Sequence, residues 1–200
     1  MTPLLAQLLT QTPAIVKREA LLMLFRATAA AFHVDMPPLS GLSREECLLA
    51  YARFTAQEAD AALRRGDDLA ALQERLYRHA YRLGRMPGWL LGCHSVDDVM
   101  VLGRVLYDVL DIDFQGSNCG NGSGSNWGEI TISRCYFSTF YSPATCRLMS
   151  AMDRALLAGL AGGGELVFTE RITEGWPCCR ACFTPAGSPF SAQPWQEQTP

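Results

Sequence analysis

Four cysteines stand near the ends of sequence elements in the second half of the chain: Cys135, Cys146, Cys179 and Cys182. Cys146 falls in the first turn of the helix expected after Ser142-Pro143. A thiol there feels the partial positive charge of a helix N-terminus, which favours thiolate. On local grounds Cys146 is therefore the best nucleophile or soft metal ligand. The competing reading is a small buried hydrophobe on an amphipathic helix. Asp153 follows seven residues later, on the same helical stripe. Two turns set the pair roughly 10.5 Å apart along the axis, too far to bond but suited to the two ends of one small-ligand pocket. A carboxylate on a core-facing stripe needs a partner. Arg171 on the following strand is the candidate, as an ion pair or as a shared substrate clamp.

The remaining candidates are weaker. Cys179-Arg180-Ala181-Cys182 contains one Cys-x-x-Cys. In an extended strand Cys178, Arg180 and Cys182 face one way, while Cys179, Ala181 and Phe183 face the other. A metal knuckle would need a turn there, and no second Cys-x-x-Cys accompanies it. A three-thiolate zinc site from Cys135, Cys146 and Cys179 stays geometrically open. His94, just before a helix, is either a general base or a hydrogen-bonding group at the cap. The stretch Gly116–Gly128 lacks the features of a phosphate loop. It is either a mobile lid or a hairpin tip.

These residues need elements to position them, and the chain changes character near residue 112. Before it the apolar residues recur at helical spacing, as in Ala20, Leu21, Met23, Leu24 and Phe25. Ser43 with Glu46 forms a capping box for a helix from about Arg44 to Arg64. Asp67 or Asp68 starts another, ending near Gly84 to Gly88, and Ser95 caps a fourth through about Leu110. After Asp111, Ile112 to Phe114 and Glu129 to Ser133 read as short strands. Ser142-Pro143 opens a helix to about Leu160, stopped by Gly162 to Gly164. Glu165 to Ile172 and Cys178 to Phe183 read as an antiparallel pair. The expected fold class is α+β, an N-terminal helical region packed on a C-terminal β-β-α-β-β antiparallel sheet unit. Residues 1–110 form the helical region and 111–184 the cysteine-bearing unit, together one compact domain. Residues 185–200, rich in Pro, Ser and Gln, are a frayed tail.

Composition sets bounds on function. The chain has 200 residues, enough for one domain, with 48% hydrophobic and 18% charged residues, which excludes intrinsic disorder. With 17 basic against 20 acidic residues, a net charge of −3 and no basic block, neither nucleic acid nor a membrane surface is an expected partner. No run of apolar residues is long enough for a transmembrane helix, and no secretory signal is apparent. The 8 cysteines are then expected to be reduced and cytoplasmic. Leu4, Leu5, Leu8 and Leu9 form an apolar stripe suited to a homodimer contact.

The order Cys135-Tyr-Phe, Cys146, Asp153, Gly159, Phe168-x-x-Arg171-x-Thr173-x-Gly175, Cys179, Phe183 resembles the L-2-amino-thiazoline-4-carboxylic acid hydrolase family. The likeness covers about residues 110 to 184, with Cys178 and Cys182 as additions. It implies hydrolytic opening of a C=N bond in a small thiazoline- or amidine-type carboxylate. Cys146 or Cys135 would then be the nucleophile with Cys179 close by, Asp153 would hold the amidinium or take a proton, and Arg171 would pair with the substrate carboxylate. Thr173 and His94 complete the substrate-binding set. In the alternative the three thiolates bind zinc, which generates the attacking hydroxide. A related pattern occurs in vinyl-reductase-type small-molecule-binding domains, so a non-enzymatic small-molecule or zinc-binding sensor module is the rival expectation.

Overall fold

The computed structural model describes residues 14–119 and 127–187. Four helices come first: α1 (Ala14–Phe32), α2 (Arg44–Arg65), α3 (Leu69–Leu90) and α4 (Val96–Val109). The strands β1 (Asp113–Asn118) and β2 (Gly128–Arg134) follow, then α5 (Pro143–Ala161), β3 (Gly164–Glu170) and β4 (Cys179–Pro185). Short 3-10 turns at Tyr136–Thr139 and Ile172–Glu174 precede α5 and β4. The fold is α+β, with the helical region ahead of a β-β-α-β-β unit. The stripe Leu4, Leu5, Leu8 and Leu9 lies outside the described residues, as does the tail beyond Gly187.

Local chemistry explains where most helices begin. Ser43 and Glu46 satisfy each other's backbone donors in a full capping box, and Ser95 does the same with Asp98. The Asp68 carboxylate accepts from the Ala71 amide at the start of α3. Ser142 accepts from the Thr145 amide, with Pro143 at the first helical position of α5. Gly162, at φ 75°, closes α5 in the left-handed conformation.

Three boundaries differ from the sequence expectation. Strand β1 runs on through Gly116 to Asn118, because pairing with β2 holds those small polar residues extended. Residues 120–126 of that stretch, read as a mobile lid or a hairpin tip, lie outside the described residues. Helix α3 continues through Gly84, Pro87 and Gly88 to Leu90. There the glycines serve packing, not termination. β3 stops at Glu170, leaving Arg171 at the head of the following turn.

The sheet is antiparallel throughout, in the order β1-β2-β4-β3. Its inner face presents Ile130, Ile132, Cys179, Ala181 and Phe183, all buried. The outer face presents Arg180 and half-buried Cys182, the alternation expected of an extended strand. Helix α5 lies on the inner face, with α3 packed along its other side. The approach is close: a Cβ at Gly84 would stand 2.2 Å from the Leu156 carbonyl oxygen, and one at Gly159 would stand 2.4 Å from that of Tyr81. With glycine at both positions α5 sinks into the middle of the molecule, and nearly every side chain from Leu148 to Leu160 is buried. Among the described residues, no helix is long and apolar enough to cross a membrane.

Candidate functional site

Helix α5 brings Cys146, Met149, Met152 and Asp153 to the wall of a partly open cavity of about 80 Å³. The sheet side adds Cys135, which follows β2, and Cys179, which begins β4 opposite Ile132. Thr173 enters from the turn before β4. Leu24 of α1 and Tyr51 of α2 close the far side, so elements from both halves of the chain share the wall. One water-sized sphere needs about 10–15 Å³, so the space suits a molecule of about one six-membered ring. A wider open groove of about 500 Å³ lies between α4 and β1. Two of its charged groups, Arg134 and Asp111, already bond each other at 3.0 Å. The cavity beside α5, mostly apolar and lined by the cysteines and Asp153, is therefore the better candidate.

Cys135, Cys146, Asp153, Cys179 and Thr173 thus meet at one site, as their order in the sequence suggested. The predicted partner of Asp153 is corrected. Its Oδ1 accepts a hydrogen bond from the Tyr107 hydroxyl of α4 at 2.7 Å. Arg171 lies instead over the Phe168 ring, 5.0 Å from its centroid, with Nη1 3.8 Å from Glu174 Oε1. Its side chain is only 13% exposed, and among the described residues its Nε meets no hydrogen-bond partner. Arg171 still acts on the site through its field, which lowers the pKa of both Asp153 and Cys146. The placement of His94 is also corrected. It is exposed at the start of α4, where its backbone amide donates to Asp98, and it does not line the cavity. That is the cap role, not the base role.

Two further expectations fail on physical grounds. The helix N-terminus was expected to push Cys146 toward thiolate. Burial dominates instead and raises its pKa, against the smaller lowering effects of Thr173 and Arg171. Cys135 is pushed up to about 12 and Cys179 to about 11, again chiefly by burial. At neutral pH these thiols carry their protons. The three-thiolate zinc site does not form either: among the described residues, no three His, Cys, Asp or Glu side chains are arranged to hold a metal ion. All eight cysteines are free.

Asp153 is the exception among the buried acids and thiols. Desolvation raises its pKa to about 6, against the lowering effect of the Tyr107 hydrogen bond. It remains ionised above that pH. The rest of the cavity is apolar or satisfied. Thr28 Oγ1 shares a hydrogen bond of 2.9 Å with the Tyr51 hydroxyl, and Thr55 Oγ1 shares one of 2.6 Å with that of Tyr141. The Thr173 hydroxyl differs. It lies near enough to the Cys146 sulfur to favour its thiolate, yet it is enclosed and meets no partner at hydrogen-bonding geometry.

Sequence reasoning missed Tyr107 and Tyr51. The only available signal was indirect: an acid on a core-facing stripe requires a donor, and Tyr107 lies on the apolar stripe of α4 with Val99 and Gly103. No local motif marks it.

No protein-family model matches this chain, and no curated protein does. Among solved structures the chain is similar to the phenol-responsive sensory domain of the transcription activator PoxR, crystallised with phenol. The TM-score is 0.50 at 16% sequence identity, over 67% of this chain and 73% of that one. At that identity the likeness concerns the fold.

Proposed function

We propose that this protein is a small-molecule-binding module of the sensor type, which takes up a compact, largely apolar molecule in the cavity beside α5. The observation that carries the reading is the small apolar cavity walled by Met149, Met152, Phe137 and Ile112, with the Tyr107–Asp153 pair as its fixed polar point. Its lining, mostly apolar with a few placed polar groups, is that of a ligand pocket, in a space well below the roughly 300–1,000 Å³ of drug-sized sites. The folding resemblance to a phenol-responsive sensory domain supports the same reading. Eight free thiols suit a reducing, cytoplasmic setting.

The test is thermal unfolding with and without single-ring compounds such as phenol. Occupancy of the native state raises the midpoint as ligand concentration passes Kd. Cys146→Phe, which fills the space, is expected to abolish the shift while leaving the fold intact. An equal shift in that variant would show binding elsewhere and sink the reading.

The hydrolase reading keeps one supporting observation, the meeting of Cys135, Cys146, Cys179 and Asp153. It requires a cavity thiol to add across the C=N bond, sulfur to carbon and its proton to nitrogen, with water then releasing the opened product from the sulfur. A panel of thiazolines and cyclic amidines, followed by release of free thiol, tests it. Turnover that is lost in Cys146→Ser would favour catalysis over binding alone.

A further inference from the structure

The cavity carries an unfilled hydrogen-bonding position at each end. From them we infer that its occupant is a single-ring molecule with a donor on one side of the ring, meeting Asp153, and an acceptor on the opposite side, meeting Thr173. This rests on the binding function proposed above and names the class of ligand.

The donor end follows from Asp153. Among the described residues its carboxylate accepts one hydrogen bond, from Tyr107, although two oxygens give it capacity for more. Above pH 6 it is ionised and can only accept, so the group that meets it must donate. The acceptor end follows from Thr173. Its enclosed hydroxyl lines the cavity without a partner, a state that carries a desolvation cost until something accepts from it. Arg171, two residues earlier, holds an unpartnered Nε and adds positive potential at this end. An oxygen acceptor is favoured there on both counts.

The two polar groups belong to different parts of the cavity wall, and its volume of about 80 Å³ limits the occupant to about one ring. Thr173 lies beside Cys146, and Cys146 and Asp153 are two helical turns apart, roughly 10.5 Å along α5. Between the ends stand Met149, Met152 and Phe137, which offer no partner for a charge.

The experiment compares four probes on the full chain at pH 7 by isothermal titration calorimetry: 4-hydroxyacetophenone, phenol, acetophenone and toluene. The disubstituted ring is expected to bind about tenfold more tightly than either singly substituted one, and toluene most weakly. Thr173→Val is expected to bring 4-hydroxyacetophenone down to the level that phenol shows in the same variant. Thr173→Ser keeps the hydroxyl and is expected to keep the advantage. If all four probes bind equally, or if Thr173→Val weakens phenol as much as the ketone, the two-ended ligand is overturned and the binding function stands. If none of the four binds the wild-type chain, both fall together. The wild-type ranking needs no variant, so a folding failure of Thr173→Val leaves the first comparison decisive.

Discussion

Burial opposes ionisation of Asp153 more strongly than the Tyr107 hydrogen bond supports it, and stability acquires a pH dependence from the difference. Its pKa is about 6 in the folded protein against 3.8 for an unperturbed carboxyl. Between those values the native state holds more protons than the unfolded chain, so stability falls as pH rises. The loss is complete above about pH 6 and amounts to about 3 kcal/mol at most. Urea unfolding at pH 4, 5, 6 and 7 should show this decline, and Asp153→Asn should flatten it. A wild-type curve that rises over the same range would contradict the assignment. The thiols give a second check at the same scale. With Cys135 near 12, Cys179 near 11 and Cys146 also raised, iodoacetamide should modify none of the three quickly at pH 7. One fast cavity thiol would restore the nucleophile. Position in the helix was legible for Cys146, and its stripe with Asp153 was legible too. The sign of its pKa was not, because the burial that decides it comes from Tyr51, Phe137 and Ile172, on three other segments.

Helix α5 carries the site, and α3 fixes where α5 lies. Gly84, Gly88 and Gly159 let the two backbones approach within the space of a methyl group. Gly84→Ala should therefore force the helices apart and destabilise the protein by about 1–3 kcal/mol, read from the urea midpoint. An exposed helical glycine would respond oppositely, gaining stability from alanine. Stabilisation by Gly84→Ala would contradict the packing. The helices that begin with a side-chain cap were legible to within a residue or two, because Ser43, Asp68, Ser95 and Ser142 act on their own neighbours. The end of α3 and the length of β1 were not. A glycine that ends a helix and one that admits a neighbouring helix look alike in sequence, and the extension of β1 depends on β2 across the hairpin.

Polar ties at the scale of the whole molecule join the first four helices to the strand-bearing unit. Tyr107 bonds Asp153, Tyr141 bonds Thr55, and Thr145 bonds Asp60. Each spans α1–α4 on one side and the segment from Tyr136 onward on the other. The two parts should unfold together: far-ultraviolet circular dichroism and aromatic near-ultraviolet signals are expected to share one urea transition. Separate midpoints would mean two folding units. The α+β class was readable from the change in periodicity near residue 112, since it depends on pattern alone. The shared cavity was not, since Leu24 and Tyr51 are far from α5 in sequence. Two of its wall side chains, Met149 and Met152, are unbranched thioethers with several soft torsions. Such walls yield to the outline of a guest, whereas Asp153, held by Tyr107, does not move with it. Discrimination in this hollow then follows the polarity pattern of a molecule more than its silhouette, and guests of unequal bulk with the same polar ends are accepted alike.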